Sequence, residues 1–154
     1  MTNETRIKWK RNRKQKEAWE YLNDKTTEEV LYGGGTRGGK TYLGCAWIIL
    51  SSIRYAGIRS LVGRSVLKDL KKTTLETFFE VCTRWGIVAD VDYSYNAQSS
   101  EINFANGSQI HLTDLYQYPS DPEFQSLGSS EYTYAFIDEA GQITERARNM
   151  VRSR

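Results

Sequence analysis

The sequence predicts an α/β fold in which a mostly parallel central sheet is flanked by helices and extended by an antiparallel hairpin. Short apolar runs of strand length alternate with longer segments of helical periodicity, a pattern that favours helices layered on a sheet. Asn106-Gly107 stands between two alternating runs, which is the strongest short-range signal for a hairpin. A chain of 154 residues is long enough for one domain with one core.

Each predicted element has its own local signal. Helical spacing of apolar residues, or an apolar stretch of helical length, predicts three helices, and Thr144 is a candidate N-cap for a fourth. Runs of apolar residues bounded by glycine or polar residues predict three buried strands besides the hairpin and the short "VDYSY" segment before it. The predicted helices span 13–23, 41–56 and 66–86, with another after Thr144, and the predicted buried strands lie at 30–33, 59–64 and within 132–140.

Composition excludes several classes of protein. An apolar fraction of 39% and a charged fraction of 26% are ordinary for a soluble globular protein, and no run of eighteen apolar residues exists that would cross a membrane. Cys45 and Cys82 are the two cysteines and are expected to be reduced and buried. His111 is the single histidine and the sequence has no Cys/His cluster, so a zinc site is not predicted; His111 is expected on a strand face.

A basic arm is predicted at residues 1–12, ahead of a domain at 13–154. Seven basic residues and no acid lie between Arg6 and Lys16. Such a block suits contact with phosphates, and it equally suits a solvated helix face or a frayed terminus. The sequence leaves these alternatives open.

The stretch "LYGGGTRGGKTYLG" carries the strongest motif. Gly34, four residues, then Gly39-Lys40-Thr41 match the phosphate-binding loop pattern, between an apolar run and a segment of helical pattern. Glycines let successive backbone N–H groups point at phosphate oxygens, and a helix N-terminus adds its positive dipole end. Lys40 is then expected to reach the β- and γ-phosphates, and the Thr41 hydroxyl to bind Mg²⁺. The motif predicts a P-loop nucleotide site for ATP and Mg²⁺.

A second motif complements the first. "YAFIDEA" ends an apolar strand with Asp138 and Glu139. A P-loop site requires an acid at the end of a neighbouring strand for the metal and a group that positions water. Asp138 is therefore predicted to hold Mg²⁺, and Glu139 to act as general base.

These motifs resemble the N-terminal ATPase domain of a bacteriophage large terminase, the DNA-packaging motor. The Asp-Glu ending is similar to that of P-loop ATPases of the RecA-like, additional-strand type. Two less specific features favour a terminase over other motors. They are the basic residue inside the loop and the "Gly-Arg…Asp-Leu-Lys-Lys" segment after the second strand, which contains Arg64 and Asp69. For those two residues, packing at the edge of the core or an ion pair is an equal alternative to a role in the site.

The resemblance implies further site residues. Gln15 is placed like a glutamine that reads adenine, and Arg37 like a basic residue that acts near the γ-phosphate. A solvated residue and a surface loop cation are the respective alternatives. Because no Arg or Lys lies between Arg84 and Arg146, Arg37 is the leading candidate for a catalytic arginine. The full expected nucleotide-binding set is Gln15, Gly34, Gly35, Thr36, Arg37, Gly38, Gly39, Lys40, Thr41 and Tyr42; the expected catalytic residues are Lys40, Glu139 and Arg37.

The resemblance also implies partners. These are double-stranded DNA, the portal and capsid, a small terminase subunit and further copies in a ring, in the host cytoplasm. Because the chain stops at Arg154, in the helix after Glu139, the domain is expected to be partial, with a coupling strand and a nuclease domain absent. A fragment of a DNA helicase or other translocase, or a nucleotide-binding module without turnover, are the alternatives.

Overall fold

The fold is a five-stranded sheet with helices on both faces. It is seen in a computed structural model that describes residues 9–33, 39–127 and 130–154. The strands are β1 (Arg59–Arg64), β2 (Tyr93–Asn96), β3 (Glu101–Phe104), β4 (Gln109–Asp114) and β5 (Tyr134–Ile137). The helices are α1 (Arg13–Asn23), α2 (Lys40–Arg54), α3 (Leu67–Asp69), a π-helical segment (Leu70–Thr74), α4 (Leu75–Arg84) and α5 (Glu145–Arg152).

The sheet is mixed, with strand order β2-β3-β4-β1-β5. β1 pairs in parallel with β4 on one side and with β5 on the other, whereas β3 pairs antiparallel with both β2 and β4. The prediction of an α/β fold is confirmed, but that of a mostly parallel sheet is wrong. The reason is that the hairpin joins the main sheet through β4, so its antiparallel pairings belong to the same sheet.

Most helices lie where the sequence placed them. α1 spans the predicted residues, and Asn12 caps it in a reciprocal capping box with Gln15. α2 begins at Lys40 because Gly39, in the left-handed conformation at φ 68°, turns the chain into it. Thr144 caps α5 by accepting a hydrogen bond from the Ala147 amide, as predicted.

The predicted strand at residues 30–33 is not a strand. Its Leu31 side chain is 82% exposed, and no regular structure covers these residues. An apolar run becomes a strand only where a neighbour satisfies its backbone N–H and C=O groups, and within the described residues β5, at the sheet edge, pairs with β1 alone. The same edge position leaves β5 half-buried rather than buried as predicted.

The core has two parts, one on each face of the sheet. Val62 of β1 points towards the larger cluster, which contains Ile48 and Ile49 of α2 together with buried residues of α4 and the hairpin. The neighbouring Leu61 points to the opposite face, where α5 packs. This alternation places α2 and α4 on one face and α5 on the other. None of the helices in the described ranges combines the length and apolar character needed to cross a membrane.

The predicted hairpin is confirmed, and its turn also caps a helix. Ile102 of β3 lies opposite Ile110 of β4. In the turn between them, the Asn106 side-chain amide donates to the carbonyl of Ser52 at 2.8 Å, and the Ser108 hydroxyl donates to the carbonyl of Tyr55 at 2.7 Å. The carbonyls at the end of α2, which an isolated helix leaves unpaired, are therefore satisfied by the hairpin.

We expect Gly44→Ala to destabilise the fold. A Cβ at Gly44 of α2 would overlap the Phe136 ring of β5. Overpacking of this kind costs about 1–3 kcal/mol. The free energy of unfolding, measured by urea denaturation, should fall, and Phe136→Leu should cost less in the Gly44→Ala background than alone. A single variant as stable as the parent would contradict the close packing of α2 on β5.

Stability should also decline in alkali because two thiols are buried. Burial raises the pKa of the Cys82 thiol from 9.0 to about 12, and burial, with a smaller effect of the Asp138 charge, raises the pKa of Cys45 well above its usual range. Between pH 9 and 12 the unfolded state therefore binds fewer protons than the native state. The free energy of unfolding should fall as pH rises through this range, by up to about 1.4 kcal/mol per pH unit for one thiol.

Urea denaturation at a series of pH values measures this decline. Cys82→Ala supplies the control, because its stability should depend less steeply on pH than that of the parent. Equal dependence in the two proteins would show that the Cys82 thiol does not titrate as described.

Candidate functional site

The site lies at the carboxyl ends of the parallel strands. In α/β sheets, ligands commonly bind in a crevice at this edge. β5 ends at Ile137, and the Asp138 amide donates to the Gly63 carbonyl of β1 at 2.9 Å. The first turn of α2 approaches the same edge. The Thr41 hydroxyl is 3.1 and 3.2 Å from the two carboxylate oxygens of Asp138, 97 residues away in sequence. The structure thus brings together the two residues predicted to hold the metal.

Asp138 is buried and densely hydrogen-bonded. Its exposure is 4%, and besides Thr41 it accepts from the Thr74 hydroxyl at 2.6 Å and from the Glu139 amide at 3.1 Å. Arg64 Nη1 lies 3.7 Å from its Oδ2. A buried carboxylate needs such partners because burial of an unpaired charge is costly.

Glu139 faces the opposite way from its neighbour. It is exposed, and its backbone is left-handed at φ 53° and ψ 50°. Non-glycine residues in this region carry about 1–3 kcal/mol of strain, and such residues cluster at functional sites. The turn places one acid in the interior and the next in solvent, and the separate roles of the two acids stay predictions.

Gln15 lies beside the N-terminal end of α2, and both the oxygen and the nitrogen of its side-chain amide form hydrogen bonds. Its oxygen accepts from the Asn12 amide at 3.0 Å, and its nitrogen donates to the Gly39 carbonyl at 3.1 Å. One amide hydrogen and one oxygen lone pair remain for a further partner. Adenine recognition by Gln15 stays a prediction, and the position of the residue next to Gly39 is established.

Tyr42, also predicted to contact nucleotide, packs into an aromatic cluster. The Trp9 ring centroid is 5.4 Å from that of Tyr42 and 5.4 Å from that of Trp19, while Trp85 lies 6.1 Å from Trp9. These rings join the start of the described chain to α1, α2 and the end of α4. Trp9 falls within the predicted basic arm, and the charge pattern that predicts the arm does not indicate this aromatic packing.

Several predicted residues lie outside the described residues. These include most of the predicted arm, since residues 1–8 are not described, and the loop residues Gly34, Gly35, Thr36, Arg37 and Gly38. The P-loop and the role of Arg37 accordingly stay predictions. Lys40 opens α2, beside Thr41.

Three arginines of α5 contact acids. Arg148 bonds to Glu29 at 2.9 Å, Arg152 lies 3.4 Å from the other oxygen of Glu29, and Arg146 pairs with Glu123. The Glu29 contacts connect the segment before the loop to α5.

Arg64 and Thr74 are contacts of Asp138 that the sequence did not assign. Arg64 is at the end of β1. The sequence leaves its role open between a part in the site, packing at the edge of the core and an ion pair, and its position 3.7 Å from Asp138 Oδ2 favours the ion pair. The sequence signal for Thr74 is a pair of adjacent threonines in an amphipathic helix, which is too common to single out. Asp69 is exposed, and its carbonyl accepts from the Thr73 hydroxyl at 2.7 Å.

The donor set fits one kind of metal. In the described part of the chain, no three His, Cys, Asp or Glu side chains form a cluster that could hold an ion alone. One hydroxyl and one carboxylate, Thr41 and Asp138, suit Mg²⁺, which keeps several waters and takes further oxygens from a substrate phosphate. Thr41 and Asp138 therefore fit a magnesium–nucleotide complex and do not fit a resident metal held by protein ligands.

Comparison with known proteins defines the class by fold. The sequence matches no known protein-family profile, and no curated protein matches it. The structure is similar to that of a large terminase from a thermophilic bacteriophage, with a TM-score of 0.71 and 14% sequence identity. The similarity covers 95% of this chain and 36% of that one, so the chain spans about a third of the length of the terminase. The chain shares the mixed α/β fold of part of a phage large terminase.

We expect Gly39→Ala to disturb the entry to α2. The residue has φ 68°, and an added Cβ would overlap the Gln15 side-chain amide. A left-handed non-glycine residue costs about 1–2 kcal/mol, so the thermal midpoint should fall. Gly33→Ala is the matched control, because nothing lies within 4 Å of a Cβ there, and its midpoint should change little. Equal midpoints in the two variants would contradict this geometry.

Proposed function

We propose that this chain is the ATP-binding and ATP-hydrolysing core of a viral DNA-packaging motor. The observation that carries the proposal is the approach of Thr41, in the first turn of α2, to the buried carboxylate of Asp138. That pairing is what a P-loop ATPase needs to hold the magnesium of Mg–ATP. The fold shared with a phage large terminase supports the choice of motor.

The proposed mechanism assigns one task to each residue. The N-terminus of α2 and the Lys40 ammonium attract the phosphates. Thr41 and Asp138 would hold Mg²⁺, which neutralises charge on the β- and γ-phosphate oxygens. Glu139, exposed at the same edge, would accept a proton from the water that attacks the γ-phosphate, giving ADP and inorganic phosphate. Arg37 would stabilise the charge that develops on the transferred group.

The proposal extends to the whole machine. In the intact protein, hydrolysis would drive double-stranded DNA into a capsid, with a ring of copies at the portal and a small terminase subunit as partner. The basic residues at the start of the chain would contribute contacts to DNA phosphates.

One observation favours a second candidate, a nucleotide-binding module without turnover. Residues 30–33 are not paired in the sheet, so the chain enters the loop from an irregular segment. Catalysis depends on groups held in position to within about 1 Å. A site that is entered from an irregular segment would bind nucleotide and hydrolyse it poorly.

Paired binding and turnover measurements separate these functions. Under either candidate function, Lys40→Ala should weaken ATP binding at least about tenfold, because a charge-assisted contact is lost. Lys25→Ala, which changes an exposed lysine elsewhere, should leave ATP binding unchanged.

Glu139→Gln should retain ATP binding and lower kcat by about 10²–10⁴-fold if the chain is an ATPase, with Glu131→Gln as control. Calorimetric titration and phosphate release measure the two quantities. Binding without turnover would select the module, and a parent that binds no ATP would refute both.

A further inference from the structure

The helix that follows β1 changes its winding beside Asp138. Between α3 and α4 the segment Leu70–Thr74 is π-helical, and the Leu75 amide donates to the Leu70 carbonyl five residues earlier. Leu70 and Leu75 are both buried, at 0% and 5% exposure. In a regular α-helix, five residues leave two side chains about 140° apart, so the wider turn is what allows both to face the core. Single π turns in α-helices are often found at functional sites.

Thr74, the last residue of the π-helical segment, makes a different side-chain hydrogen bond from the threonines near it. The hydroxyls of Thr73 and Thr77 each donate to a carbonyl four residues earlier in the same helix, at 2.7 and 3.3 Å. Thr74 instead donates across the site to Asp138 Oδ2 at 2.6 Å. The thiol of Cys45 on α2 donates to the Thr74 carbonyl at 3.7 Å. Both the side chain and the backbone carbonyl of Thr74 are therefore hydrogen-bonded to other elements.

These contacts fix the direction of the Asp138 carboxylate. Thr74 holds Oδ2, the Glu139 amide holds Oδ1, and the Thr41 hydroxyl lies within hydrogen-bond distance of both oxygens. Rotation of the carboxylate would break the Thr74 bond, which is the shortest of these contacts. With Thr74 at 1% and Asp138 at 4% exposure, bulk water does not replace that bond.

Arg64 acts on the same carboxylate in another way. Its Nη1 donates to the Thr73 hydroxyl at 2.5 Å and lies 3.7 Å from Asp138 Oδ2, beyond normal hydrogen-bond length. Arg64 therefore supplies positive charge, and Thr74 supplies orientation. Arg64 Nη1 also lies 3.5 Å from the Thr74 hydroxyl, so a change at Thr74 removes the orientation and this long contact but leaves the Arg64 charge in place, held by Thr73.

We propose that Thr74 is a positioning residue for magnesium–nucleotide binding, which holds the Asp138 carboxylate in the orientation that receives the ion. The inference rests on the proposed function, since it requires ATP with Mg²⁺ as the ligand. Partners of metal-binding carboxylates of this kind change metal affinity by about 10–100-fold when they are removed. A threonine that only satisfied its own hydroxyl in the core would affect stability and leave the response to Mg²⁺ unchanged.

ATP titrations with Mg²⁺ and with EDTA test the proposal on the full chain. In Thr74→Val, which keeps the shape and removes the donor, ATP affinity with Mg²⁺ should fall about tenfold, while ATP affinity in EDTA stays at the parent value. Thr74→Ser restores the donor and should recover the response to Mg²⁺. Thr77→Val, on the same helix, is the matched control and should behave as the parent.

The outcomes distinguish this inference from the function on which it rests. If Thr74→Val retains the full response to Mg²⁺, or weakens binding equally with and without the ion, the positioning role is overturned and the ATP site stands. If the parent binds ATP with no response to Mg²⁺, the inference fails and nucleotide binding survives. If the parent binds no ATP in either condition, both fail. Thr74→Ala, which places no methyl group in contact with the carboxylate, provides the same readout should Thr74→Val unfold.

Discussion

The buried carboxylate of Asp138 is the constraint around which the site is arranged. It joins the first turn of α2, the end of β5 and the π-helical segment through the hydroxyls of Thr41 and Thr74 and through its own position after Ile137. A buried charge must be paired and hydrogen-bonded to be tolerated, so each of these elements has to arrive in place for the others to be stable. The π-helical segment and the close approach of α2 to β5 are both compatible with this requirement, because they bring Thr74 and Thr41 to the carboxylate.

The same constraint explains why two adjacent acids differ so strongly. Asp138 lies in the interior within reach of Arg64, whereas Glu139 stands in solvent after a left-handed turn. The hydrogen bonds to the inner carboxylate set the direction of the chain just before the turn. The outer carboxylate is thereby presented at the sheet edge by backbone geometry, with no need for packing around its side chain.

The sequence predicts local structure well and long-range pairing incompletely. α1, β1 and the hairpin turn could be placed because capping residues, apolar periodicity and Asn106-Gly107 are local signals. The strand expected at 30–33 could not be excluded, because apolar composition does not reveal whether a pairing partner exists. The mixed sheet was missed for a related reason, since the parallel pairing of β4 with β1 is a contact between distant segments. Within the site, Thr41 and Asp138 were found from motif chemistry, whereas Thr74 depends on a change in helical winding that leaves no pattern in the residues themselves.

The cap that the hairpin provides for α2 bears on the order in which the chain can fold. The carbonyls near the end of α2 accept from side chains 53 and 54 residues further on. As a chain leaves the ribosome from its N-terminus, α2 is synthesised long before those side chains are available, and a lone helix of its length is marginally stable in water. The C-terminal caps of this helix can therefore form only when a long loop closes, which places them among the contacts of high contact order. The helix whose first turn builds the candidate site acquires its C-terminal caps only when the distant β-hairpin is in place.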